Sequence, residues 1–248
     1  NAGHDEETFD RWVDHRNEWG LDAEVENETD VWAMVAVQGP DALNAVDDAT
    51  TVETAALARN EIVASEDDGV ESWVARTGYT GEDGVEILCP VDDAETVWTA
   101  FDGCEPCGLG SRDTLRTEMG FLLSGQDFDP EEEPRTPYEA GIGWAVDLDT
   151  EFVGRDALAE VAETGPEEAF VGIELRERGI ARHGHDITVD GDVVGHVTSG
   201  TMSPTLGEPI ALGYVQASLS EPGTEIEVVV RGNGKRAEVV STPFIRHK

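Results

Sequence analysis

The chain has 248 residues, 39 % of them hydrophobic, and carries 54 acids against 16 bases for a formal net charge of −38. That length suits one large or two modest domains at roughly 100 to 200 residues each. No apolar run approaches the ~18 residues of a bilayer span, residues Asn1 to Asp10 show no signal or transit pattern, and so acidic a chain offers nucleic-acid phosphates no basic surface.

The acids run through the whole sequence and are not gathered in a tail, and Lys235 and Lys248 are its only lysines. A nucleic-acid mimic, or a docking surface for a basic partner, would use such charge. The simpler reading is a halophilic protein in a cytoplasm at multimolar salt, where carboxylates stay hydrated and their repulsion is screened. Six tryptophans and an apolar alternation argue against a disordered acidic segment.

Asn1-Ala2-Gly3 reads as the end of a strand whose beginning lies upstream. Residues 5 to 19 place Phe9, Trp12, Val13 and Trp19 on a helical stripe. Val31 to Val37 reads as a buried strand, ended by Gln38-Gly39-Pro40, with Pro40 as the first residue of a helix to about Asp47. Strands are expected at Glu61 to Ser65, Glu71 to Thr77 and Gly84 to Cys89, and a helix at Ala94 to Phe101. Gly108-Leu109-Gly110-Ser111 opens a helix from Arg112 to Phe121, with Ser111 as N-cap.

An acidic, proline-punctuated loop covers Asp127 to Pro137, and Gly141 to Val146 reads as a strand. A helix from Gly154 to Glu163 then leads to Thr164-Gly165-Pro166, the expected domain boundary, dividing residues 1–165 from 166–248. Beyond it only β runs remain, at Phe170 to Leu175, Val193 to Thr198, Ala211 to Val215, Glu225 to Val230 and Ala237 to Val240, which indicates a small barrel or sandwich. Asn233-Gly234 reads as the last hairpin turn. The fold class is therefore α+β followed by an all-β domain.

Familiar reactive patterns are absent. There is no G-x-S-x-G elbow, no G-x-G-x-x-G after a strand, and Cys104-Glu105-Pro106-Cys107 lacks a second pair, so it reads as a loop coincidence with no metal. His183-Gly184-His185 suggests no third ligand and reads as a solvated loop. Three features stand out. Gly78-Tyr79-Thr80-Gly81-Glu82-Asp83-Gly84 is a shaped loop between strands, and Glu86 follows it on the exit strand, where a carboxylate can accept two parallel N–H bonds from a planar amidine-like edge. Arg112 sits in the first turn of a helix, a setting that favours a carboxylate ligand. A late basic cluster ends in Arg246.

With these features on the page, the chain resembles the T protein of the glycine cleavage system. Gln38-Gly39-Pro40, Arg76 to Ile87 (Arg-Thr-Gly-Tyr-Thr-Gly-Glu-Asp-Gly-Val-Glu-Ile), Gly108 to Arg116, Gly141-Ile142-Gly143-Trp144, Phe152-Val153-Gly154, Val197-Thr198-Ser199-Gly200 and Ser203-Pro204 occur in family order. The resemblance implies two related folate-binding α+β modules, the first incomplete here, and a C-terminal β-barrel. It implies an aminomethyltransferase that moves a methylene unit from the aminomethyl-lipoyl arm of the H protein to tetrahydrofolate and releases ammonia, without a metal. Glu86 would recognise the pterin, Arg112 the folate glutamate tail, Tyr79 would line the pocket, and Arg246 and Asn1 would add contacts. The family's catalytic Asp falls upstream of Asn1, so no catalytic residue is assigned. The alternatives are a folate-dependent demethylase, or the folate module of a sarcosine or dimethylglycine dehydrogenase, and a non-catalytic folate-binding protein.

Overall fold

The computed structural model describes residues 3–246. The chain divides into two compact units, one running to Pro106 apart from Tyr79–Gly81, the other formed by Tyr79–Gly81 with everything from Cys107 onward.

The first unit opens with helix α1 (Asp5–Trp19), whose first turn carries Asp5, Glu6 and Glu7 at the positive end of the helix dipole. Gly20, at φ 61°, closes it in the left-handed conformation. None of its residues is buried, and Trp12 and Trp19 of the expected stripe stay exposed. Strands β1 (Trp32–Gln38), β2 (Ile62–Asp67), β3 (Val70–Ala75) and β4 (Gly84–Pro90) form an antiparallel sheet in the order β1-β4-β3-β2. Asp68 and Gly69, both with positive φ, make the two-residue turn between β2 and β3.

One face of the sheet packs Val37, Val74, Val85 and Ile87 against α2 (Ala42–Ala49), and Val97 of α3 (Ala94–Thr99) joins this core. The strand expected to be buried is buried on this side alone. Val35 and Val37 point inward while Trp32 and Met34 are exposed, because the helices cover one face and side chains alternate along a strand. Pro40 is not the first helical residue; the helix begins at Ala42, with Asp41 as its cap.

In the second unit, α4 spans Leu109–Glu118 with Gly108 as N-cap. Ser111 is therefore not the cap. It lies inside the first turn and donates its hydroxyl to the Gly108 carbonyl at 2.7 Å. The expected strand at Gly141 to Val146 is instead a short 3-10 turn at Gly143–Ala145. Glycine dictates this locally: Gly141 sits at φ 73°, and a Cβ on Gly143 would lie 2.5 Å from the Tyr138 ring. Helix α5 (Arg155–Thr164) follows.

The remaining strands are β5 (Glu168–Leu175), β6 (Asp186–Val189), β7 (Asp192–Met202), β8 (Pro209–Gln216), β9 (Glu225–Val230) and β10 (Asn233–Val240). They close into a barrel in the order β10-β5-β8-β7-β6-β9 around Ile173, Ile187, Val197, Ala211, Val215 and Val228. The all-β expectation thus resolves to a closed barrel. The last hairpin turn is Arg231-Gly232, both at positive φ, while Asn233 already pairs with Val230. Asn233-Gly234 opens strand β10, so the turn falls two residues earlier than expected. Strand β6, too short to show a period, was not foreseen.

Candidate functional site

In the first unit Glu86 stands on β4, flanked in register by Ala36 of β1 and Ala75 of β3. Its neighbours Val85 and Ile87 turn into the core, so its own side chain emerges on the opposite face. It is half-buried and makes no hydrogen bond or ion pair among the described residues. Two alanines leave a flat floor beside it, and the same face carries Trp73, Leu88 and Met34. A planar heterocycle offering two N–H groups fits a lone carboxylate above an apolar floor.

Local packing explains why this strand starts where it does. The Gln38 amide donates to the carbonyls of Thr77 (3.0 Å) and Val85 (3.1 Å), and the Gly39 N–H donates to Asp83. Both flanking glycines touch this clamp: a Cβ on Gly78 would lie 1.8 Å from Gln38 Oε1, and one on Gly84 would lie 2.3 Å from the Val37 carbonyl oxygen. The Gln-Gly-Pro and Tyr-Thr-Gly-Glu-Asp-Gly motifs are therefore partners in one piece of backbone scaffolding. Arg76 bonds the Leu57 carbonyl and approaches Asp83 at 3.4 Å, a structural role at the base of the loop.

In the second unit Tyr79 and Arg112 come together. The Arg112 guanidinium lies over the Tyr79 ring, 4.3 Å from its centroid, and the ring stacks on Phe121 with centroids 5.6 Å apart. The Tyr79 hydroxyl donates to the Leu122 carbonyl. Burial pushes the Tyr79 phenol above its ordinary range, against a smaller downward pull from Arg116 and Arg112, so the ring stays neutral beneath the cation. Arg112 forms no salt bridge among the described residues, which leaves its N–H edge for an incoming anion.

Beneath this pair lies a polar cluster that sequence reasoning gave no role. Arg116 is fully buried and spends all five of its N–H groups: on Asp113, the Phe121 carbonyl, Asp127 at 2.5 Å and Ser199 at 2.7 Å. Asp127, equally buried, accepts from the Leu123 N–H at 2.8 Å, from Ser199 at 2.7 Å and from Thr198. Gln126 adds a bond to Ser199 at 2.8 Å. Removing one member of such a pair would cost on the order of 3–5 kcal/mol, because the other charge would be left buried. Nearby, the buried Glu118 accepts from Ser203 and from both the N–H and hydroxyl of Thr205, while its carbonyl accepts from the Phe244 N–H. Arg116, Ser199 and Ser203 all lie in the motifs of the resemblance, which was the available signal.

An open cleft of about 600 Å³ in this unit is lined by Asp113, Thr114, Gln126, Arg182, His183 and Thr201. Arg246 is exposed at the end of the described chain, and Asn1 lies outside the described residues. No group of three or more His, Cys, Asp or Glu able to hold a metal occurs among the described residues, and no described helix is long and apolar enough to cross a membrane.

A one-sided α+β unit carrying a lone carboxylate, and a six-stranded barrel reached through an arginine-bearing helix, define a class. Residues 1–150 match the GCVT N-terminal domain and residues 169–245 match the glycine cleavage T-protein C-terminal barrel domain. The chain belongs to the glycine cleavage T-protein family, a family of aminomethyltransferase enzymes. Among particular relatives, the probable aminomethyltransferase of Haloarcula marismortui is 61 % identical over 99 % of this chain and 68 % of its own length. That of Halobacterium salinarum is 56 % identical, again over 99 % of this chain and 68 % of the relative. The crystal structure of glycine cleavage system aminomethyltransferase T from Bartonella henselae superposes with a TM-score of 0.89 at 31 % identity, covering 99 % of this chain and 67 % of that one.

Proposed function

We propose that this protein is the aminomethyltransferase of a halophile's glycine cleavage system, transferring a methylene unit from the aminomethyl-lipoyl arm of the H protein to tetrahydrofolate with release of ammonia. The observation that carries the reading is Glu86, half-buried and unpaired beside Ala36 and Ala75. Its carboxylate would take the N3–H and 2-amino group of the pterin. Arg112, placed over the Tyr79 ring, would take a carboxylate of the glutamate tail, with Arg246 and Asn1 as further folate contacts. The folate-binding region runs to residue 165 and the barrel domain from 166. The protein works in the cytoplasm.

The chemistry needs placement more than a side-chain nucleophile, since folate N5 must meet the aminomethyl carbon as its C–N or C–S bond polarises. The residues above bind and orient; none of the described carboxylates is assigned the proton transfer. Calorimetry with tetrahydrofolate in high salt tests the site. Glu86→Ala should abolish measurable binding and Arg112→Ala should weaken it, and unchanged affinity in both would sink the assignment. Exchange of the glycine carboxyl with bicarbonate, in the presence of the other cleavage proteins, separates this activity from a folate-dependent demethylase.

A further inference from the structure

We infer that the buried Arg116–Asp127 pair is a positioning device for the folate tail, setting the Tyr79–Arg112 platform through the three-residue segment Phe121-Leu122-Leu123. The inference rests on the assignment of Arg112 to that tail.

The segment is held at both ends by the ion pair. Arg116 donates to the Phe121 carbonyl at 3.1 Å, and Asp127 accepts from the Leu123 N–H at 2.8 Å. Between those anchors the Leu122 carbonyl receives the Tyr79 hydroxyl, and the Phe121 ring stacks on the Tyr79 ring. Tyr79 in turn carries the Arg112 guanidinium on its face. Each link is a contact between consecutive members of one chain of groups. A shift of the Phe121–Leu123 backbone must therefore move the ring and the cation above it.

Arg116 also lies one helical turn beyond Arg112 on α4. The pair consequently fixes the platform twice, through the helix that bears the guanidinium and through the segment that bears the ring. Ser199 and Thr198 of β7 lock the far side of the pair. No group of the pair is exposed, so its effect on a ligand can only be transmitted.

The test compares tetrahydrofolate with 6-methyltetrahydropterin, which presents the pterin but no glutamate tail, in calorimetric titrations of the full chain. Arg112→Ala sets the reference by lowering the ratio of the two affinities. Asp127→Asn should lower that ratio on the order of tenfold while leaving the tailless ligand's affinity unchanged. Arg116→Met combined with Asp127→Leu removes both charges at once, avoids a lone buried ion, and should do the same. Arg116→Lys, which keeps the charge but not the five-donor fork, should recover only part of the ratio.

A folded Asp127 or double variant that keeps the wild-type ratio overturns the inference, as does one that weakens both ligands equally, the signature of general loosening. If Arg112→Ala itself leaves the ratio unchanged, the tail assignment fails and takes this inference with it. If Arg112→Ala lowers the ratio and the pair variants do not, the inference alone fails.

Discussion

The guanidinium carbon of Arg112 sits 4.3 Å from the centroid of the Tyr79 ring. In molar salt, which screens isolated surface charges within about 3 Å at 1 M, a guanidinium held over an aromatic ring keeps its directional hydrogen bonds when its long-range field is lost. Arg112→Lys should therefore behave almost as badly as Arg112→Ala, since lysine keeps the charge but neither the stack nor the planar fork. Tetrahydrofolate titrations of both variants check this. Lysine binding like wild type would show that charge alone suffices.

Gly84→Ala should be severely destabilising. Its new Cβ would fall 2.3 Å from the Val37 carbonyl oxygen, a backbone atom that cannot swing aside. The expected cost exceeds about 2 kcal/mol in denaturant unfolding. A variant within about 0.5 kcal/mol of the parent would mean that the two strands have room to separate there.

Tyr214 carries a different expectation. Its ring is buried, packs on Phe170 with centroids 5.2 Å apart and lies 3.9 Å beneath the Arg135 guanidinium, yet its hydroxyl finds no hydrogen-bond partner among the described residues. Phenylalanine keeps the ring contacts and removes a stranded donor. Tyr214→Phe should thus be neutral or stabilising by about 1 kcal/mol at neutral pH, and a clear loss of stability would reveal a partner for the hydroxyl.

The pH dependence follows from the same burial. Desolvation raises both the Tyr79 and the Tyr214 phenols above the ordinary tyrosine value of 10.0. A tyrosine raised in the folded state contributes stability that is fully present below its unfolded pKa and is lost as pH climbs through its folded pKa. The protein should therefore soften above about pH 10. Denaturation midpoints measured across the alkaline range should fall less steeply in Tyr214→Phe and Tyr79→Phe, and identical limbs in all three proteins would refute the attribution.

Glu118 should resist substitution for a reason independent of folate. Its carboxylate is 2 % exposed and accepts from Ser203, itself wholly buried, and from Thr205. Glu118→Ala strands those donors and should cost about 2–3 kcal/mol in unfolding free energy. A much smaller cost would mean that the loop after β7 turns its donors elsewhere.

How much of this could be read from the chain depends on what signal each feature leaves. Five of the six barrel strands announce themselves as apolar runs, and the glycine-rich loop does so through residue types that few other conformations demand. The turn at Gly143–Ala145 did not, because Gly-Ile-Gly-Trp-Ala-Val is as apolar as a strand and only the close approach of Tyr138 shows why it bends. Glu86 could be singled out by its place after the motif. Asp127 could not: among 54 acids, a buried carboxylate and a solvated one look alike until their partners are known. Arg116 is rarer and lies in a motif, but the motif does not reveal its partners, since they come from Asp113, Asp127 and Ser199, up to 83 residues away.

The barrel closes on its shortest ladder. β6 meets β9 only through Ile187 opposite Val228 and Thr188 opposite Glu227, whereas β5 and β8 align from Glu168 opposite Gln216 to Glu174 opposite Ile210. A ring of strands opens where the fewest cross-links must break together. Amide exchange should accordingly begin along that seam, with β5, β8 and β7 exchanging last. The strands that hold Thr198 and Ser199, and through them Arg116 and Asp127, belong to the slow side of the ring. The barrel can breathe at one edge while the arginine-bearing helix stays anchored to the other.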